Sequence, residues 1–118
     1  MKKLLFIALM ASGLGAAAQT KALQIAKISL PTINCDLCKN RIESYLKRYD
    51  GINSITVNVK KKEATVKYLV DRINQEEIKA AIANAGYDAN EITAEPEAYK
   101  RLPICCKKPE DGGPKPKH

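Results

Sequence analysis

Leu30-Pro31-Thr32-Ile33-Asn34-Cys35-Asp36-Leu37-Cys38-Lys39 is the stretch where the chain passes from one periodicity to another. Before it, Ile25, Ile28 and Leu30 mark a strand of imperfect alternation that stops at Pro31, which has no N–H to give a ladder. After it, Cys38, Ile42, Tyr45, Leu46 and Tyr49 recur at steps of three and four, with Lys39, Arg41, Glu43, Lys47 and Arg48 on the other faces. Asp50-Gly51 ends that helix. Two thiols three residues apart therefore sit where a strand gives way to a helix, a placement that lets both grip one soft metal ion.

Two strands follow. Ile55, Val57 and Val59 alternate with Thr56 and Asn58, and Ala64, Val66, Tyr68 and Val70 alternate with Thr65, Lys67 and Leu69. Lys60-Lys61-Lys62 falls between them as a turn, read as solvated lysines, with docking of a partner as the sharper alternative. A second helix is signalled by Asn74 as N-cap with Glu77 three residues on, by the stripe Ile78, Ala81, Ile82, Ala85, and by Gly86 as its stop. A short strand over 90–93 completes the order β-α-β-β-α-β. With right-handed crossovers this order predicts an α+β, ferredoxin-like sandwich: an antiparallel four-stranded sheet with two helices on one face.

The 118 residues carry a net charge of +7. Met1-Lys2-Lys3, the apolar run Leu4 to Met10 and the small residues ending Ala16-Ala17-Ala18 read as a signal peptide over 1–18, too short to stay as a membrane anchor. Its removal leaves 100 residues and, without Lys2 and Lys3, a charge of +5. That length supports one small domain, read as 19–95, and an exported, periplasmic location. Nucleic acid is excluded as a partner by the export reading and by the lack of Trp, with one Phe, to stack bases. From 96 to 118 the chain turns Pro- and Lys-rich and reads largely as a flexible tail, in which only Tyr99 to Cys106 has enough apolar side chains to dock.

The topology gathers Cys35 and Cys38, the lysine turn and Gly86-Tyr87 at one pole. Helix-start N–H groups with Lys39 and Arg41 favour thiolates there, and Asp36 opposes them modestly. Two thiolates suit Cu(I) or Hg(II) and leave room for a partner's thiol to enter. Zn(II) or Cd(II) would need a fuller shell, from Asp36, a water, Cys105 and Cys106, or a second molecule in a metal-bridged dimer of an otherwise monomeric chain. Disulfides between the two cysteine clusters are not expected, because they would tie a helix start to a polar tail without stapling the core. About ten residues separate Cys105-Cys106 from the last strand, a reach of roughly 30 Å, so the pair can fold back as accessory ligands, stand apart as an independent thiol pair, or be oxidised to a vicinal disulfide. His118, the single histidine, lies at the tail's end and is not expected to be a ligand.

Residues 23 to about 93 resemble the heavy-metal-associated domain, the module of copper chaperones, of the N-terminal arms of metal-pumping ATPases and of periplasmic mercury-binding proteins. The family's loop Gly-Met-x-Cys-x-x-Cys is matched here by Thr32-Ile33-Asn34-Cys35-Asp36-Leu37-Cys38, and its late Ala-Gly-Tyr by Ala85-Gly86-Tyr87. The leader and Pro31 bring it nearest the periplasmic mercury-binding type. Thr32, Ile33 and the Asp36-Leu37 pair depart from the pattern and leave the metal preference open. The resemblance implies a carrier rather than an enzyme, with Cys35 and Cys38 as ligands, Tyr87 over the site or in the core, and a membrane transporter or P-type ATPase as recipient. The alternative use of the same cysteines is a periplasmic thiol–disulfide oxidoreductase, against which stand the single strand before the motif and the absence of Trp beside it.

Overall fold

The computed structural model describes residues 22–114, so the leader read over 1–18 lies outside the described residues. Strand β1 (Leu23–Ser29) leads through the cysteine loop into helix α1 (Asp36–Leu46); β2 (Ile52–Asn58) and β3 (Glu63–Leu69) form a hairpin, and helix α2 (Gln75–Asn84) follows. Helix α3 (Pro96–Lys100) and two 3-10 turns, Ile104–Cys106 and Pro109–Asp111, end the described chain. No helix among the described residues is long and apolar enough to cross a membrane.

The three strands pair antiparallel in the order β1-β3-β2. Register sets Ala26 opposite Val66 and Ile28 opposite Ala64 on one side of β3, with Ile55 opposite Val66 and Val57 opposite Ala64 on the other. Because side chains alternate across a strand, these rows share one face. They join Ile42 and Leu46 of α1 and Ile78, Ala81 and Ile82 of α2 in a single core, so both helices cover that face. The inward set of β1 is Ala26, Ile28 and Leu30, whereas Ile25, read from sequence as part of the strand's apolar mark, is 56% exposed on the opposite face. A small alanine holding the core position concealed the true alternation. The outer backbone edge of β2 is partly capped where Glu43 of α1 accepts the Val57 N–H at 2.9 Å.

Asn74 and Glu77 form the expected reciprocal cap on α2, at 2.8 and 3.1 Å. The sequence-predicted fourth strand is not formed, and this corrects the four-stranded sheet. Over 90–93 the described backbone makes only one bridge, Ala89 with Ile92, around Asn90, which has φ 52°. A left-handed residue turns an extended run back on itself. Asn90 nevertheless tethers the end of β1, donating its N–H to the Ser29 carbonyl at 2.9 Å and accepting the Ser29 N–H on Oδ1 at 2.7 Å. Lys79, only 7% exposed, pairs with Glu91 and Glu76, both at 2.8 Å, and fixes this corner to α2.

The chain then crosses α2 instead of continuing along β1, since the Glu95 N–H bonds to the Ala83 carbonyl at 2.9 Å. Glu95 caps α3 by accepting from Ala98 N–H at 2.9 Å, with Pro96 in the first turn. Expected to be mostly a flexible tail, the segment through Asp111 instead holds ordered elements, and it buries Ala98, Leu102 and Cys106. Its seat is Gly86, φ 107°, where a Cβ would stand 3.1 Å from both the Ala98 carbonyl oxygen and a Leu102 methyl. Glycine there satisfies the left-handed helix end and the close approach together.

Candidate metal centre

The loop between β1 and α1 is fixed from beneath. Leu30 N–H bonds to the Lys62 carbonyl at 2.8 Å, Ile33 N–H to the Leu30 carbonyl at 3.1 Å, and Lys62 Nζ donates to the Ile33 carbonyl at 3.0 Å. Ile33 is fully buried, so it plugs the loop onto the core. Lys62, φ 55°, thus closes the β2–β3 turn and braces the cysteine loop, while Lys60 and Lys61 remain exposed. Cys35 is the N-cap of α1, half-buried and without a side-chain cap bond; Cys38, one turn on, is fully buried beside Ile42. Their sulfurs stand 3.3 Å apart.

The second thiol pair lies at the same pole. Cys105 Sγ is 3.1 Å from Cys35 Sγ, and Cys106, fully buried, is joined to Cys38 by a disulfide. The sulfurs of Cys35, Cys105 and Cys106 all fall within 4.8 Å of one another. One cross-cluster disulfide is therefore present where none was expected. Its physical reason is the docked segment: with Leu102 seated on Gly86, the Ile104–Cys106 turn reaches the start of α1. Asn34, adjacent to Cys35, donates from Nδ2 to the Lys107 carbonyl at 3.0 Å and fastens the far side of that turn. Sequence reading did not single out Asn34, because nothing local distinguishes it from any other loop asparagine.

Asp36 is exposed in the first turn of α1, where a carboxylate suits the helix dipole, and lies outside the sulfur group. His118 lies outside the described residues. Tyr87 is fully buried, and its hydroxyl has no hydrogen-bond partner. Burial pushes its pKa up to about 12, ahead of the opposing pull of Arg41, and the charges of Cys35 and Cys105 add to the rise. Tyr87 is thus a core residue. The Cys105 thiol is pushed up by its hydrogen bond with Cys35 first, then by burial, with Arg41 acting the other way.

Four cysteine sulfurs gather at the end of a βαββα core, those of Cys38 and Cys106 joined in a disulfide and those of Cys35 and Cys105 free. The heavy-metal-associated domain matches residues 27–88, a span that holds β1 from Lys27, the cysteine loop and everything to Tyr87. The chain belongs to the heavy-metal-associated domain family. It is 36% identical over 61 residues to a copper chaperone CopZ of Staphylococcus haemolyticus, covering 52% of this chain and 90% of that protein. It is 33% identical over 73 residues, 62% of this chain, to a copper-exporting P-type ATPase of Staphylococcus epidermidis, of which it spans only 9%. Among solved structures, a CopZ metallochaperone superposes with TM-score 0.54 at 29% identity, over 56% of this chain and 98% of that one. Oxidized MerP from Ralstonia metallidurans, at 22% identity and TM-score 0.56 over 58% of this chain and 96% of that one, supports the fold. The chain thus carries a metal-binding heavy-metal-associated domain with a ferredoxin-like core. The matched span stops at residue 88, so Cys105 and Cys106 lie beyond it.

Proposed function

We propose that this chain captures Cu(I) between Cys35 and Cys38 and either sequesters the ion or passes it by ligand exchange to a membrane transporter of the copper-pumping ATPase type. The observation that carries this reading is the pair of sulfurs 3.3 Å apart at the start of α1, one half-buried and one fully buried. The names of the relatives, a copper chaperone and copper-exporting ATPases, support copper over mercury, although the same thiolates would take Hg(II). Export rests on the leader read over 1–18, and cell fractionation with N-terminal sequencing of the recovered chain tests it.

Cys38 offers no thiolate while bonded to Cys106, so capture starts with reduction. In the reduced chain Cys35 meets the ion first, because it is the more accessible thiol, and Cys38 completes the pair from within the core edge. Release runs in reverse: an incoming thiolate takes the place of Cys35, then of Cys38. Cu(I) is cargo here and no bond in a substrate is altered.

The test is anaerobic competition for Cu(I) between the reduced chain and a chromophoric Cu(I) chelator. One ion per chain is expected, with affinity lost in Cys35→Ser and Cys38→Ser. Equal affinity in the wild type and Cys38→Ser would remove the reading.

A further inference from the structure

We propose that Cys35, Cys38, Cys105 and Cys106 form one redox-gated site that, when reduced, closes with four thiolates on a divalent thiophilic ion of the zinc or cadmium kind. This inference rests on the reading that Cys35 and Cys38 are metal ligands, and it adds a second ligand pair from outside the family-matched span.

The four sulfurs lie close enough to converge on one ion. Zinc–sulfur bonds of about 2.3 Å place tetrahedral sulfurs about 3.8 Å apart. The sulfurs of Cys35 and Cys38 are at 3.3 Å, those of Cys35 and Cys105 at 3.1 Å, and those of Cys35, Cys105 and Cys106 within 4.8 Å of one another, so opening the Cys38–Cys106 bond and moving apart by well under an ångström per sulfur brings the known pairs to that edge. Adjacent cysteines in a chain rarely serve one ion, but these two sit in a 3-10 turn, where successive side chains diverge by about 120°. Cys106 accordingly reaches Cys38 while Cys105 reaches Cys35.

The site is also pre-positioned and shielded. Leu102 packed on Gly86 and Asn34 bonded to the Lys107 carbonyl hold the turn from both sides, so the second pair arrives on folded chain. Cys38 and Cys106 are fully buried, and Cys35 and Cys105 half-buried. Four thiolates around a divalent ion leave a charge of −2, met by the N-terminus of the 11-residue α1 and by Arg41 in its second turn.

The gate is the Cys38–Cys106 disulfide. A dithiol reductant supplies two electrons and two protons, the sulfur–sulfur bond opens to two thiols, and the reductant leaves as its own disulfide. Binding a divalent ion then releases the protons of four thiols. In the bonded state only Cys35 and Cys105 remain free, and half the ligand set is gone.

The full chain, reduced with dithiothreitol and freed of it anaerobically, is titrated with Cd(II) and then exposed to iodoacetamide, with alkylated cysteines identified by mass spectrometry. One Cd(II) per chain protecting all four cysteines is expected, with roughly twice the thiolate-to-cadmium absorbance of Cys105→Ser/Cys106→Ser, since two ligands of four remain there. The oxidised chain should bind Cd(II) about 100-fold more weakly or worse for the same reason. Protection of only Cys35 and Cys38, or equal absorbance in the double variant, overturns the four-thiolate site while leaving the carrier reading intact. Loss of Cu(I) binding in Cys105→Ser/Cys106→Ser, with the fold retained by circular dichroism, would instead show that Cys35 and Cys38 do not suffice and would overturn the carrier reading. The protection pattern comes from the wild type alone, so it stands whether or not the variants fold.

Discussion

Reducing the Cys38–Cys106 bond should cost this domain much of its stability, by an amount that identifies which cysteines are linked. The bond joins residues 68 apart in sequence and encloses α1, both hairpin strands, α2 and α3. Loop-closure entropy for a ring of that size amounts to about 4 kcal/mol at room temperature. A bond between Cys35 and Cys38 would close a ring of about four residues and contribute only about 2 kcal/mol on the same scale. With a urea slope of about 1–2 kcal/mol per M for a chain this small, the unfolding midpoint should fall by about 2–4 M on reduction. The assay is urea unfolding followed by far-UV circular dichroism, oxidised against reduced, both in chelator so that no metal replaces the bond. Peptide mapping after alkylation of free thiols names the linked pair. Reduced Cys106→Ser should match the reduced wild type. A midpoint unchanged by reduction, or a map joining only Cys35 with Cys38, would refute the reasoning.

Leu102→Ala should cost about 2–4 kcal/mol, because it empties a buried site against Gly86 that has little freedom to collapse; thermal melting gives the loss, and faster alkylation of Cys105 in the reduced protein shows the turn coming loose. Tyr87→Phe removes a buried hydroxyl without a partner and should leave stability unchanged or raise it by up to about 1–2 kcal/mol; a loss of more than about 1 kcal/mol would mean that the hydroxyl is hydrogen-bonded after all. Glu91 is held below the ordinary carboxylate range, chiefly by its hydrogen bond with Lys79, so its contribution is present above the unfolded-state value of about 4.3 and is lost as pH falls through the lower folded value. Urea midpoints across that acid range should drop more steeply in the wild type than in Glu91→Gln, and parallel curves would remove Glu91 from the account.

The sequence was most readable where one periodicity was uninterrupted. The inward residues Cys38, Ile42 and Leu46 of α1, Ile55 and Val57 of β2, Ala64, Val66 and Tyr68 of β3 and the Asn74–Glu77 cap appear as expected, because each is set by near neighbours, whereas α1 stops at Leu46 short of Asp50-Gly51 and Val59 and Val70 fall just past the strand ends. The missing fourth strand is a different case. Ile92 and Thr93 favour a strand, but Asn90 in the left-handed region and the pull of Glu95 toward Ala83 decide the path, and neither shows as a break in hydropathy. In β1 the core position belongs to Ala26, too small to stand out beside Ile25. The site was half legible. Cys35 and Cys38 announce themselves by spacing, whereas the arrival of Cys105 and Cys106 depends on Leu102 finding a seat that exists only because residue 86 lacks a side chain. A contact across that much sequence leaves no periodic trace.

The docked C-terminal turn also bears on traffic through the centre. A thiol anchored 3.1 Å from Cys35 by its own chain competes as if dissolved at millimolar concentration or above, far beyond what a micromolar partner presents. A visiting single cysteine would lose that contest by a factor of about a thousand. If the chain passes its ion on as proposed, an acceptor would have to offer two thiols at once, or first lift the Ile104–Cys106 turn from its place. Under the proposed carrier reading, the contacts that oppose this, Leu102 on Gly86 and Asn34 on the Lys107 carbonyl, would then set the speed of handover as much as the chemistry of the ion does.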